Sequence, residues 1–255
     1  MNSIVLAMNC FNDIEAAKLC FPIVAPLIDG VILIDGAWEG FPSKEDWSTD
    51  GTPEFIMSCM KGKAFTLIRL PKRFSGIESL NVHQEFLDRY WDWSRLWYFR
   101  WGCDWQLIPA PGFTMQDVAQ EFSDLKTGKY DAFKYANVKF IHKNPGQEGI
   151  TEGFLGLHDM KGNRRAISHD CIWLGEERVA RHRDKYPAFV LPKSMIDHRF
   201  IDRPEWRMKA QQEYYTRRVQ YILKSEVLSE NYPLTPNPNV SGYDIEKVLT
   251  EKRKH

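Results

Sequence analysis

Two aspartates are the first residues in this sequence whose type and setting suggest chemistry. Asp35 ends the apolar run Val31-Ile32-Leu33-Ile34 and is followed at once by Gly36, while Asp50 lies in the turn Ser48-Thr49-Asp50-Gly51-Thr52. In an open α/β sheet, ligands bind beyond the carboxyl ends of the strands. A carboxylate there accepts hydrogen bonds from a base N–H or from ribose hydroxyls, and a glycine beside it lets the backbone come close. The same residues also fit plain architecture, with an aspartate capping the next helix and Asp-Gly as turn punctuation.

The other candidates are more scattered. His142, His158, His169 and His198 form neither HxH nor HxxxH spacing, and His158 is singled out because it follows the glycines at 153 and 156. Glu152, Asp159 and Asp170 are carboxylates able to serve as general base for a hydroxyl. Arg89 and Arg95 lie six apart, too far round a helix to share one face, so one of them is the candidate for phosphate contact. Arg178, Arg181 and Arg183 lie in a run of mixed charge that also suits a solvated helix. The sequence holds no Walker A loop, GxGxxG, GxSxG or HExxH, which removes the usual readings tied to those motifs.

The elements that must carry these residues follow from pattern. Ser3–Cys10 reads as a strand, and Asn12 or Asp13 caps a helix that runs to Pro26. Residues 30–35 form the second strand, Pro53 opens a short helix, and Ala64–Leu70 is the third strand. Glu78–Trp101, free of Pro and Gly, reads as one long helix, with Asp104–Ile108 as the fourth strand. Strand alternating with helix predicts an α/β fold with a mostly parallel central sheet flanked by helices. Thr114 caps a further helix with Asp117 at N3. From Gly128 onward the second half is more irregular or antiparallel: Ala136–Lys143 alternates like a strand, and Gly-rich turns fill 146–162. Pro204 then opens a C-terminal helix, and the Pro-rich tail from Ser229 reads as a wrapping arm or disorder.

Composition narrows the class. With 34 basic and 34 acidic residues, no net charge steers the chain toward nucleic acid or anionic membrane. Five scattered cysteines without a CxxC pair suggest reduced thiols, and the short apolar N-terminal run lacks the form of a signal peptide. A cytoplasmic protein without a transmembrane segment is expected.

With these residues placed, the chain resembles family 2-like glycosyltransferases of the GT-A fold over about residues 3–222. The resemblance rests on ILIDGAW with STDGT, on the approach Gly102-Cys103-Asp104-Trp105, on VKFIHKNPGQEGITEGFLGLHD, and on Asp197-His198-Arg199 followed by RPEWRMKAQQEYYTRR. It implies a single domain over 1–228, with a nucleotide-sugar half (1–127), an acceptor half ending in the helix (128–228), and a tail (229–255). It implies that Asp35, Gly36, Asp50 and Gly51 hold the nucleoside of a UDP- or GDP-sugar, that Arg95 meets the diphosphate, and that His158 stands near the acceptor. Glu152 and Asp159 are then the candidate catalytic carboxylates.

The family also places Asp-x-Asp after the fourth strand to hold a divalent cation, and the matching positions here read as Pro109-Ala110-Pro111, which supply no carboxylate. Three outcomes follow: diphosphate charge met by Arg or Lys without metal, metal held by substitutes such as Asp104, Asp117 or a histidine, or a binding protein that has lost catalysis. The leading expectation is transfer of a sugar from a nucleotide sugar to a glycan or other hydroxyl acceptor. The alternative is a catalytically inactive binding or scaffold protein. A nucleotidyltransferase is disfavoured because the basic glycine-rich N-terminal loop it needs is missing.

Overall fold

The computed structural model describes residues 1–38, 40–73, 76–133, 135–143, 148–158, 188–199, 205–206 and 208–209. Its strands are β1 (Ser3–Cys10), β2 (Gly30–Asp35), β3 (Ala64–Ile68), β4 (Leu96–Gly102), β5 (Trp105–Pro109), β6 (Tyr135–His142), β7 (Gly149–His158) and β8 (Ala188–His198). The helices are α1 (Ile14–Val24), α2 (Thr52–Cys59), α3 (Gly76–Tyr90) and α4 (Met115–Lys126). All eight strands join one sheet in the order β3-β2-β1-β4-β7-β6-β8-β5. β1 to β4 are parallel to one another, β7 turns antiparallel against β4 and β6, β8 runs parallel to β6, and β5 is antiparallel to β8. The expected α/β class, a mostly parallel central sheet with helices on its faces and a less regular second half, is what forms.

β1 and β2 are apolar on both faces because helices cover both sides, which is why they read as continuous hydrophobic runs rather than alternations. Ile4, Leu6, Met8 and Cys10 meet α1, α2 and α4 through Phe21, Ile56, Met60, Val118 and Phe122. On the other face, Val5, Ala7 and Ile32 meet α3 through Leu87. The chain therefore winds from β1 to β3 with helices on one face and returns to β4 with a helix on the other. The change of direction falls between β1 and β4, the switch point where such sheets open a crevice at their carboxyl ends.

Three expected elements are corrected. The helix read over 78–101 stops at Tyr90; Asp92 accepts the Ser94 N–H in a short 3-10 turn, and Leu96–Gly102 is the fourth parallel strand. Leu96, Trp97, Tyr98 and Phe99 are all buried, on alternate faces of a strand covered on both sides. Such a run has no period of two and is easily taken for the end of a helix. Asp104–Ile108, expected as the fourth strand, becomes β5 at the far edge of the sheet, pairing among the described residues only with β8. An edge strand tolerates the proline at its end. The glycine-rich stretch read as turns contains β7, ten residues long, with Gly153 and Gly156 inside it. A Cβ at Gly156 would lie 2.2 Å from the Tyr98 carbonyl oxygen, so glycine there permits close approach of β7 to β4.

The capping box at Thr114 and Asp117 forms as expected. Of the C-terminal helix, residues 205–206 and 208–209 are described and helical; the rest of it, the tail 229–255, and Asp159, His169, Asp170, Arg178, Arg181 and Arg183 lie outside the described residues.

Candidate functional site

Two groups of polar side chains occupy the carboxyl edge of the sheet. The first joins the ends of β1 and β2 to the acidic turn. Asp35 is fully buried; its Oδ1 accepts from the Ser48 N–H (3.0 Å) and the Cys10 thiol (3.6 Å), and its Oδ2 from Arg69 Nε (2.8 Å). Burial pushes the Cys10 thiol well up, so this sulfur stays protonated beside the carboxylate. Asp50 Oδ2 accepts from the Ile14 N–H (2.9 Å) at the start of α1, while Oδ1 accepts from the Thr52 N–H and hydroxyl at the start of α2. One aspartate thus serves the amino ends of two helices. Asn12, with φ of 50°, takes the Thr49 N–H on its Oδ1 and gives its own N–H to Ser48 Oγ. Gly51 at φ 86° turns the chain into α2, and the Gly36 N–H donates to the Cys10 carbonyl. A cavity of about 270 Å³ lies beside this group, lined by Asn12 to Ala16, Thr49, Asp50 and Trp206.

The second group stands where β4, β6 and β8 end. Register carries it: Ile141 pairs with Asp197, His142 with His198, and His198 with Trp105. His198 Nε2 lies 3.0 Å from Asp104 Oδ2, and the Arg199 N–H donates to the Asp104 carbonyl. The buried Asp104 orients the imidazole, as a carboxylate partner fixes a histidine tautomer. Lys143 Nζ (2.6 Å) and Arg199 Nη1 (3.3 Å) share Asp197 Oδ2, while the buried Asp197 Oδ1 has no hydrogen-bond partner. His142 has its Nε2 2.8 Å from Thr151 Oγ1, and burial, then the neighbouring His198, lowers its pKa.

Several site expectations change. Asp35 is brought to the carboxyl edge, but its side chain is enclosed by protein partners rather than presented to a ligand. Arg95 precedes Leu96, whose partner on β1 is Ser3, so it lies at the amino end of the sheet, about 26 Å along the strands from Asp35. Arg89 is on α3 and Arg95 in the 3-10 turn, so they do not share a helix. His158 is also at the amino end, paired with Trp97; it is buried, stacks on the Trp97 ring at 4.6 Å and donates from Nδ1 to the Leu96 carbonyl (2.9 Å). Its position is that of a core histidine.

Pro109 and Pro111 sit at the end of edge strand β5 and beyond it, where Pro109 pairs with Ser194. β4 ends at Gly102, and Cys103 and Asp104 follow it, so one carboxylate stands just past the fourth parallel strand. Glu152 is exposed on β7 and accepts from Asn137 Nδ2 (2.8 Å). Arg69, Lys143 and Arg199 were missed because only pairing brings them to the edge; Arg69 lies just past β3, a place the strand pattern could have flagged.

The donor set for a divalent cation is incomplete. Among the described residues no group of three or more His, Cys, Asp or Glu converges, and Asp104 and His198 are bonded to each other. No helix among them is long and apolar enough to cross a membrane.

No family model and no curated protein matches the chain. Among solved structures it shows a distant similarity to S. aureus TarS 1-349. Identity is 11%, the TM-score 0.37, and the match covers 59% of this chain and 38% of that one. The sheet and its helices form a mixed, mostly parallel α/β fold; a likeness this loose carries no argument. The reading of function rests on the edge itself.

Proposed function

We propose that this chain is a GT-A-like glycosyltransferase that moves a sugar from a UDP- or GDP-sugar to a glycan or other hydroxyl acceptor. The observation that carries the reading is the gathering of both polar groups around the β1/β4 switch point, where sheets of this kind take their ligands. In this reading the turn Asp50-Gly51 and the Gly36 backbone shape the nucleoside side. Asp35 acts through Arg69, holding that guanidinium at the edge. Lys143 and Arg199, rather than Arg95, meet the diphosphate, since cations at a developing leaving-group charge stabilise its departure. Glu152 is the described carboxylate proposed as general base, and Asp159, outside the described residues, is the other candidate.

A second reading has its own observation. Asp35 and Asp50 spend their oxygens on protein donors, which suits a scaffold that keeps the fold and binds without catalysis.

The test is a thermal-shift screen with UDP, GDP, CMP and their sugar conjugates, each with and without manganese. A ligand that binds only the folded state raises stability by about 2.7 kcal/mol at a hundred times its Kd. A shift with one nucleotide that Lys143→Ala and Arg199→Ala both reduce supports the transferase reading. No shift with any nucleotide sinks it and leaves the scaffold.

A further inference from the structure

The cavity beside α1 has a lining that decides its ligand class. Asp13, Glu15 and Asp50 contribute three carboxylates, Asn12 an amide and Thr49 a hydroxyl; among the described residues no Lys or Arg lines it, and the half-exposed Trp206 indole forms a wall. The three carboxylates disfavour a phosphate, and two donors at the entry to α1 are already engaged, the Ile14 N–H on Asp50 and the Asp13 N–H on Thr52 Oγ1.

What remains is a ligand that brings hydrogen-bond donors and an apolar face. A nucleobase offers a few donors along a single edge, whereas a pyranose offers hydroxyl donors around its ring and a C–H face able to lie on an indole. Asp50 Oδ1 is taken by the Thr52 N–H and hydroxyl, but Oδ2, which holds only the Ile14 N–H, keeps a second lone pair for a hydroxyl. Asn12 spends its Oδ1 on Thr49 and thereby turns its NH₂ into the donor for a ring or hydroxyl oxygen. At about 270 Å³ the space suits one ring rather than a whole nucleotide sugar, since pockets for drug-sized ligands begin at roughly 300 Å³.

The geometry points to a neutral saccharide subsite here, with one pyranose stacked on Trp206 and its hydroxyls on Asp50, Asn12 and Glu15. This deepens the transferase reading and rests on it for its place in a reaction, as the seat of a sugar unit away from the diphosphate cations.

Saturation-transfer NMR on the full chain tests it. The probes are methyl β-glucopyranoside, methyl β-galactopyranoside and N-acetylglucosamine, with choline and inorganic phosphate as contrasts. Trp206 is exposed, so Trp206→Ala should leave the fold intact, which its unchanged melting temperature will verify. We expect at least one saccharide to bind, Trp206→Ala to weaken it about tenfold, and Trp206→Phe to keep most of the affinity. Saccharide binding indifferent to Trp206→Ala overturns the inference. So does binding of choline or phosphate in place of sugar, or no binding by any probe. A nucleotide thermal shift without saccharide binding refutes this subsite and spares the transferase. Saccharide binding without any nucleotide shift does the reverse.

Discussion

The two ends of the carboxyl edge use carboxylates in different ways. At β1 and β2, Asp35 and Asp50 collect backbone N–H groups, a thiol, a hydroxyl and Arg69, and they fix the loops that enter α1 and α2. At β4, β6 and β8, Asp104 and Asp197 collect side chains that carry or can carry positive charge: His198, Lys143 and Arg199. The first arrangement spends charge on architecture. The second gathers titratable and cationic groups close to solvent, and it leaves the buried Asp197 Oδ1 without a partner. An aspartate at a strand end is therefore not a binding residue by position alone; what its oxygens already hold decides its role.

Four perturbations bear on this contrast, in falling order of expected effect. The largest concerns the parallel half. His83 on α3 is buried beneath β1 with its Nε2 donating to the Met8 carbonyl, and burial holds its pKa at about 3 against 6.5 when unfolded. The unfolded chain binds the proton first, so this contribution to stability is intact above pH 6.5. It is lost at about 1.4 kcal/mol per pH unit as pH falls toward 3. Urea denaturation across that window should show the slope, and His83→Gln should flatten it; an equal slope in the variant would refute the assignment.

Next, Asp35→Ala leaves the Ser48 N–H and Arg69 without their buried acceptor. It should cost about 3 kcal/mol, near the low end for breaking one side of a buried pair because Arg69 retains some solvent. A loss below 1 kcal/mol in the same denaturation assay would return Asp35 to the list of ligand contacts.

Gly102→Ala probes the other group. A Cβ there would lie 2.8 Å from Asp104 Oδ1 and from Trp105 Cδ1, so it should push Asp104 off His198 at a cost of about 2 kcal/mol. The imidazole signals of His198 in NMR report the displacement, and unchanged signals would mean that the strand end yields without moving Asp104. The same clash opposes rebuilding a second carboxylate at this position.

Thr114→Ala, away from both groups, removes the side-chain half of the α4 capping box and should lower stability by about 1 kcal/mol. It should not alter nucleotide-induced shifts, and any such change would show that α4 is coupled to the edge.

Local chemistry was legible in the sequence where a signal fits within one element. β1 and β2 follow from apolar runs closed by polar residues, α4 from Thr114 and Asp117, and the acidic turn from its Asp-Gly pair. The fourth strand was not, because a strand covered on both faces loses its alternation and Leu96 to Trp101 then resembles the end of the preceding helix. That single misplacement moved the expected end of the fourth strand from Gly102 to Ile108.

By itself the sequence determined the α/β class, the strand-end aspartates and the turn that joins them, since each depends on neighbours a few residues away. Tertiary structure alone decided which end of the sheet each candidate occupies. His158 and Arg95 went to the amino end, whereas Asp104, Lys143, His198 and Arg199 came together at the carboxyl end across as many as 95 positions. Strand order and register set that outcome, and they depend on pairings between distant segments for which a linear pattern holds no term.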